Sequence, residues 1–317
     1  MAIRQIKRGN REEWLALRKD YIGGSDAASV VGLNEYQSPN ALWCEKTGIT
    51  PAFEGNLRTE VGTFLEDFIA KKFEAETGKK VRRSNFTFIN DQYPWAIADI
   101  DREIVGENAG LECKSTSDLN LRHYKNGDYP SRFYAQCVHY MAVKGYDRYY
   151  LAVLIGNSDF KIFVIERDEQ EINALMLGEA SFYENYMIAN VPPPIDGSES
   201  TRTALKSQAE IETDEEPEPV DLTDKKQLLD TLGEIDETIE QLEEQRNAIR
   251  NQLIQAIGDS WRGNVEGYEV TYKPTSRKTF DWKKLQKDYP QFQLDPFFKT
   301  SVSRTLKIKR IEEAKEQ

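Results

Sequence analysis

The sequence predicts a mixed α/β domain around a central sheet, followed by a long helix and a small basic α+β module. Three observations carry that prediction. Over residues 10–190, apolar residues recur first at helical spacing, then in short β-like runs, then in both patterns by turns. At 192–220 a triproline and the acidic run DEEPEP break the pattern with a composition that does not support a core. Beyond it, Leu and Ile fall into the 4-3 alternation of a coiled-coil seam. The expected organisation is a domain over 1–191, a linker over 192–220, a coiled-coil helix over 221–258 and a basic module over 259–317.

Asn10 precedes REEWLALRKD with Glu13 three residues on, a helix start that would bury Trp14, Leu15 and Leu17. Gly23-Gly24 permit a tight turn, and Ser25-Asp26 can cap the small-residue helix that follows. A turn into a helix N-terminus can seat a phosphate, with Arg18 adding a bidentate contact; an ordinary capped turn beside a surface arginine uses the same residues. SPNALWCEKTGI reads as a short helix. From Thr59 a stronger helix sets Val61, Phe64, Leu65, Phe68, Ile69 and Phe73 on one stripe, with Glu66 and Asp67 at its border and Gly78 at its end. The strand NFTFI is followed by the runs AIADIDREIVG and AGLECKS around Glu107-Asn108. FYAQCVHYMAVKG is helical, RYYLAVLIG and DFKIFVIERD form a hairpin around Gly156-Asn157, and an amphipathic helix closes the domain near Asn190. The seam runs from Leu228 to Ala256, interrupted at Arg246, and needs a partner: another protomer, the main domain or a different protein. After Gly258, GYEVTYKPTSRKTF resembles a hairpin, DWKKLQKDYP a short helix, and SRTLKIKR sets Arg304, Lys307 and Lys309 in alternation.

The 317 residues carry 42 Lys/Arg against 54 Asp/Glu, a net charge of -12. The acidity is concentrated, with 18 acidic against 6 basic residues over 196–260, while 261–317 carry 13 basic against 8 acidic. The overall sign therefore decides little about nucleic acid. Cys44, Cys113 and Cys137 lie far apart with no CxxC, so neither a disulfide framework nor a zinc knuckle is readable. With only His123 and His139, a zinc hydrolase or His-based triad is disfavoured, and a metal site would be carboxylate-built, suiting Mg²⁺ or Mn²⁺. MAIRQIKRGN lacks the apolar region of a signal peptide and no long apolar run follows, so a cytosolic protein without a membrane span is expected.

Asp101 lies on the first β-like run, and Glu112 and Lys114 on the second, separated by Cys113. Residues two apart on a strand project from the same face, so Glu112 and Lys114 should point together and a neighbouring strand's carboxylate can join them. Two carboxylates and a lysine at one sheet edge suit a divalent metal and phosphodiester cleavage. A half-buried hairpin with solvated charges and one salt bridge is the structural alternative.

Five pieces, in order, resemble one family: WLALRKDYIGGSDAASVVGL, SPNALWCEKTG, VGTFLED, ADID…LECKS, and the helix with Tyr134 and Gln136. Together they resemble the YqaJ-type viral recombinases, a lambda-exonuclease-like branch of the PD-(D/E)xK nucleases, over about residues 10–190. The resemblance implies a restriction-endonuclease-like core, a central mixed sheet flanked by helices. It also implies a Mg²⁺-dependent exonuclease that degrades the 5′-ended strand of linear double-stranded DNA, 5′ to 3′. The 3′ single strands left behind would feed phage-type recombination by annealing. On the same basis Glu66, Asp101, Glu112 and the backbone carbonyl of Cys113 would hold Mg²⁺, with Mn²⁺ a substitute. Lys114 would position the attacking water and help deprotonate it, and Gln136 would orient Lys114 or contact the scissile region. Arg18 and Ser25 would hold the 5′-phosphate, with Arg122 the candidate second arginine. A ring-shaped homo-oligomer (a trimer encircling DNA), a phage single-strand annealing partner and the cytoplasm of a bacterial host complete the implication. Asp99 departs from the pattern, standing where many relatives carry a neutral small or amide residue, as an extra ligand or a modifier of the end-phosphate contact. Two other readings are an endonuclease of the same superfamily and a non-catalytic DNA-end-binding scaffold built around the coiled coil.

Overall fold

The computed structural model describes residues 2–289 apart from 52, 54, 209–218, 278 and 280. The chain divides into two units, Met1–Glu212 and Thr213–Gln317.

The first unit runs β1 (Ile3–Lys7), α1 (Arg11–Asp20), β2 (Ile22–Gly23), α2 (Gly24–Val30), α3 (Pro39–Lys46) and α4 (Leu57–Thr77). Four strands follow closely, β3 (Val81–Arg83), β4 (Phe86–Asn90), β5 (Tyr93–Asp99) and β6 (Arg102–Ile104), then β7 (Ala109–Thr116). After α5 (Ser131–Lys144) come β8 (Arg148–Ile155), β9 (Asp159–Glu166), α6 (Glu169–Phe182) and α7 (Glu199–Gln208). The fold is mixed α/β, with one sheet ordered β1-β4-β5-β2 and another ordered β3-β6-β7-β8-β9. Both are mixed: β2 runs parallel to β5, and β7 parallel to β8 with α5 as the crossover, while the remaining pairs are antiparallel.

Alternation along β7 and β8 divides the core. Leu111, Cys113, Tyr150 and Ala152 pack with Ile69, Ala70 and Phe73 of α4. Leu151 and Val153 turn the other way, into a cluster with Val138, Met141 and Val143 of α5 and with Ala96 and Ala98 of β5. A fully buried side chain of this size stabilises the fold by about 1.5–3 kcal/mol. Polar contacts also cross this layer: buried His139 of α5 shares Nδ1 with Glu179 Oε1 of α6 at 2.8 Å and Nε2 with the Ile97 carbonyl at 2.9 Å.

Several local expectations change. Trp14, Leu15 and Leu17 are half-buried, because α1 lies on the rim of the unit with none of its residues buried. The α4 stripe enters the core only at its C-terminal end, and Phe64 remains 83 % exposed. The run AIADIDREIVG is not one strand: β5 belongs to one sheet and β6 to the other, so Asp101 sits at the break between them. The α2 cap is Gly23, and Asp26, inside the first turn, accepts the Gly23 N–H at 3.0 Å. The expected linker contributes α7, with Thr201 and Ala204 buried, Ser38 Oγ 2.7 Å from Thr201 Oγ1, and Asn40 Nδ2 donating to the Pro193 carbonyl at 2.9 Å. The first unit therefore extends past residue 191.

In the second unit α8 (Lys226–Ile257) is a single 32-residue helix with no buried residue. It is followed by a hairpin of β10 (Arg262–Val265) and β11 (Tyr268–Thr271) and by α9 (Trp282–Asp288). The hairpin thus begins earlier than GYEVTYKPTSRKTF suggests. SRTLKIKR lies outside the described residues, and among those described no helix is long and apolar enough to cross a membrane.

Candidate active site

The site forms where β6 stops short of β7. The ladder between them pairs Arg102 with Leu111 and Glu103 with Gly110, and goes no further. The Cys113 N–H, next in line, donates instead to Asp101 Oδ2 at 2.9 Å. A strand residue's N–H and C=O leave on the same side, so the Cys113 carbonyl faces this open edge too. The residues on either side of Cys113 turn to the opposite face, as period-2 alternation requires, and Lys114 Nζ lies 2.6 Å from Glu112 Oε1. Gln136 of α5 donates to the same oxygen at 2.7 Å, so it contacts Glu112 in place of the expected Lys114. The other oxygen, Glu112 Oε2, is buried and has no hydrogen-bond partner among the described residues.

Glu66, from α4, faces the same charges. Its Oε2 lies 3.9 Å from Arg102 Nη1; the nearly buried Arg102 also pairs with Asp67 and donates to the Asp101 carbonyl at 2.8 Å. Burial and then Asp101 push the Glu66 carboxyl up to about 7, and the same two causes push Glu112 to about 8. Burial raises Asp101 against the pull of Lys114 and the Cys113 N–H. Burial alone would lower Lys114, but Glu112 and Asp101 outweigh it and hold the ammonium charged. Three carboxylates thus crowd a place with too little positive charge. As they stand, no three described His, Cys, Asp or Glu side chains converge closely enough to enclose an ion, since each carboxylate is drawn to a different partner.

The second cluster gathers around Asp26, which is almost buried. Arg18 Nη2 donates to Ser25 Oγ and Asp26 Oδ1, each at 2.7 Å, and Lys46 Nζ reaches Asp26 Oδ2 at 2.6 Å. Lys46 also donates to the carbonyls of Arg18 and Tyr21 at 2.7 and 2.8 Å. Burial would raise Asp26, but Arg18 and Lys46 together hold its carboxyl well below the usual carboxylate range. The Arg18 guanidinium lies over Trp14, 4.9 Å from the ring centroid. These residues line a cleft of about 1630 Å³ together with Thr63 and Phe64 of α4, the helix that carries Glu66. Arg122 rests against His123 and lines a smaller cavity of about 350 Å³ that shares Glu35 and Tyr36 with this cleft. The carboxylates line neither space.

Asp99 belongs to the frame. Its carboxylate receives Arg8 Nε at 3.1 Å, Trp14 Nε1 at 2.8 Å and Thr87 Oγ1 at 2.5 Å, which anchors α1 to β4 and β5. The structure therefore joins Asp101, Glu112, Lys114, Gln136 and Glu66 in one cluster and Arg18 with Ser25 in another; Asp99 borders the second through Trp14 and helps hold Arg18 charged, and Arg122 lines the adjoining cavity. Sequence reasoning misses Arg102, Lys46 and Asp26 as organisers of these clusters; the only signals are that Arg102 follows Asp101, Asp26 follows Ser25 and Lys46 ends a short helix. It also misses Tyr140, whose hydroxyl accepts from Gln136 at 3.1 Å.

Residues 13–147, which contain both clusters, match the family described as the YqaJ-like viral recombinase domain. The chain is also 36% identical over 286 residues, 89% of each sequence, to the uncharacterized protein YqaJ of Bacillus subtilis (strain 168). The chain belongs to the YqaJ-like viral recombinase family. Among solved structures it is similar to the alkaline exonuclease LHK-Exo of Laribacter hongkongensis, with 19% identity and a TM-score of 0.41 over 56% of this chain and 97% of that one. It is similar as well to a phage related exonuclease of Haemophilus somnus 129PT, with 14% identity and a TM-score of 0.41 over 56% and 99% of the two chains. At such scores the likeness is partial, and membership rests on the sequence match.

Proposed function

We propose that the protein is a metal-dependent nuclease that degrades the 5′-ended strand of linear double-stranded DNA, 5′ to 3′, leaving 3′ single strands for recombination. The observation that carries this reading is the buried, unpartnered Glu112 oxygen beside Lys114, within electrostatic reach of Asp101 and Glu66. Hard oxygen donors with raised affinity for positive charge fit Mg²⁺, or Mn²⁺ in its place. Glu66, Asp101, Glu112 and the Cys113 carbonyl would hold it. Bound there, Mg²⁺ supplies an acidified water and charge stabilisation at the phosphate and the leaving oxygen.

The chain's own residues account for the rest. Gln136 fixes the Glu112 carboxylate in rotation. Lys114, charged in this setting, donates hydrogen bonds to a water or a phosphate oxygen and offsets developing negative charge. A protonated lysine is a poor general base, so proton removal is not assigned to it. Arg102 tethers Glu66 and the Asp101 backbone. Arg18 uses only Nη2 on Ser25 and Asp26 among the described residues, which leaves Nε on one edge of the guanidinium or Nη1 on the other to donate to a terminal 5′-phosphate. Contacts to backbone phosphate carry no base identity, so binding should be sequence-tolerant and strongly salt-dependent. A ring of copies around DNA and a single-strand annealing partner are the assembly this reading calls for.

Digestion of linear duplexes labelled at the 5′ or 3′ end, with and without Mg²⁺, tests activity and polarity together. Release of the 5′ label first, only with metal, and survival of a covalently closed circle are expected. Cleavage of the circle would make the protein an endonuclease, and no metal-dependent release would make it a DNA-end-binding scaffold.

A further inference from the structure

The 32 residues of α8 make a rod of about 48 Å at ~1.5 Å per residue. Along it Leu232, Ile235, Ile239, Leu242, Ile249 and Leu253 keep the 4-3 spacing and stand between 37 % and 58 % exposed. A stripe with a 3.5-residue repeat fits another helix of the same pitch, knob into hole, and little else. Among the described residues the next longest helix, α4, has only 21 residues, and its Ile69 and Phe73 are already in the core.

The flanks of the stripe identify the occupant. On one side stand Thr231, Thr238, Gln245 and Gln252, all uncharged; on the other stand Asp236, Glu243 and Arg250, of both signs. The remaining acids, such as Glu237, Glu240 and Glu244, fall on the outward face, where they do not oppose a second acidic helix. The helix is therefore compatible with itself. Orientation follows from Arg246, the one charged residue in the stripe. In a parallel pair the two Arg246 side chains meet in a single layer. In an antiparallel pair with the stripes fully overlapped, Arg246 faces Leu242 of the second copy, and Arg250 stands opposite its Asp236, twice by symmetry. The two Glu243 residues meet at the axis, with Arg246 close by; within one chain Arg246 Nη2 already reaches Glu243 Oε1 at 3.0 Å.

We propose that α8 is a self-association element, pairing antiparallel with α8 of a second copy of this chain. The inference is independent of the nuclease reading and is tested on the full-length chain without DNA. Light scattering on the wild type should give a mass of an even number of chains, six where three-membered rings pair through α8, and Ile239→Glu with Leu242→Glu should halve it. Under oxidation Glu243→Cys, at the axis, should form a covalent dimer on a non-reducing gel, and Leu242→Cys should not. The native cysteines are buried and give little background. A single-chain or odd-numbered wild-type mass, or an unchanged mass in the double variant, overturns the proposal. Cross-linking of Leu242→Cys in place of Glu243→Cys overturns the antiparallel arrangement.

Discussion

The ring of Tyr140 fills the space that a β-carbon on Gly24 would occupy, only 2.4 Å from Tyr140 Cε1. The hydroxyl of the same tyrosine accepts from Gln136 Nε2, which also donates to Glu112. One side chain of α5 therefore joins the Arg18–Ser25 turn to the carboxylate strand. Gly24→Ala must push α2 off this ring, and overpacking of this kind costs about 1–3 kcal/mol. We expect a lower melting temperature and a slower digestion rate, with Tyr140→Phe, which keeps the ring, melting close to wild type. Equal melting of Gly24→Ala and wild type would mean that α2 relaxes without strain.

The raised carboxyls give a pH signature. An unfolded glutamate titrates near ~4.3, whereas Glu66 and Glu112 hold their protons to about 7 and about 8. The folded state thus binds more protons than the unfolded state across that window, and stability falls as pH rises through it. Metal-free protein in EDTA should melt lower at pH 9 than at pH 6. Glu112→Gln should flatten that slope and add about 1–2 kcal/mol at pH 9 while abolishing digestion, as a site held against its own stability predicts. Thermal melts at the two pH values, with and without Mg²⁺, check it.

Asp26 behaves in the opposite sense. Its lowered carboxyl contributes stability that is present above ~4 and is lost only as strong acid protonates it, so it does not shape the neutral range. Removing Lys46 leaves Asp26 paired with Arg18 alone, at a cost below the ~3–5 kcal/mol of a fully unpaired buried charge. Lys46→Met should therefore unfold at markedly lower urea than wild type. Arg18→Ala, at a more exposed position, should fold but lose its preference for 5′-phosphorylated over 5′-hydroxyl ends. Unchanged discrimination between those two ends would remove Arg18 from the phosphate contact.

Lys114→Ala should abolish label release while gel-shift affinity for a duplex end survives, because on the proposed function the lysine acts at the reacting phosphate and few of the binding contacts pass through it. Full activity in that variant would sink the assignment.

Period-2 alternation made the Glu112–Lys114 pair readable, and helical spacing placed Glu66 and Gln136 on helices. The position of Asp101 was not readable, since nothing in AIADIDREIVG breaks a strand; the break arises because β5 and β6 join different sheets. The α4 stripe predicted core at Phe64 and Phe68, but only the turns that reach β7 and β8 are covered. Helix α7 escaped notice because ESTRTALKSQ buries just Thr201 and Ala204. Asp99 read as a possible ligand because spacing cannot tell a carboxylate facing a cleft from one enclosed by Arg8, Trp14 and Thr87. Distant ion pairs such as Lys46–Asp26 leave no periodic trace at all.

The chain passes between its two sheets at Ile100-Asp101, with Gly23 registered against Ile97 on one side and Glu112 beyond Leu111 on the other. An end group seated at the first sheet and a bond cut at the second are then separated by a span that the backbone fixes. On the proposed function the junction would act as a gauge, and the number of nucleotides removed per cut should stay constant whatever the sequence of the strand being shortened.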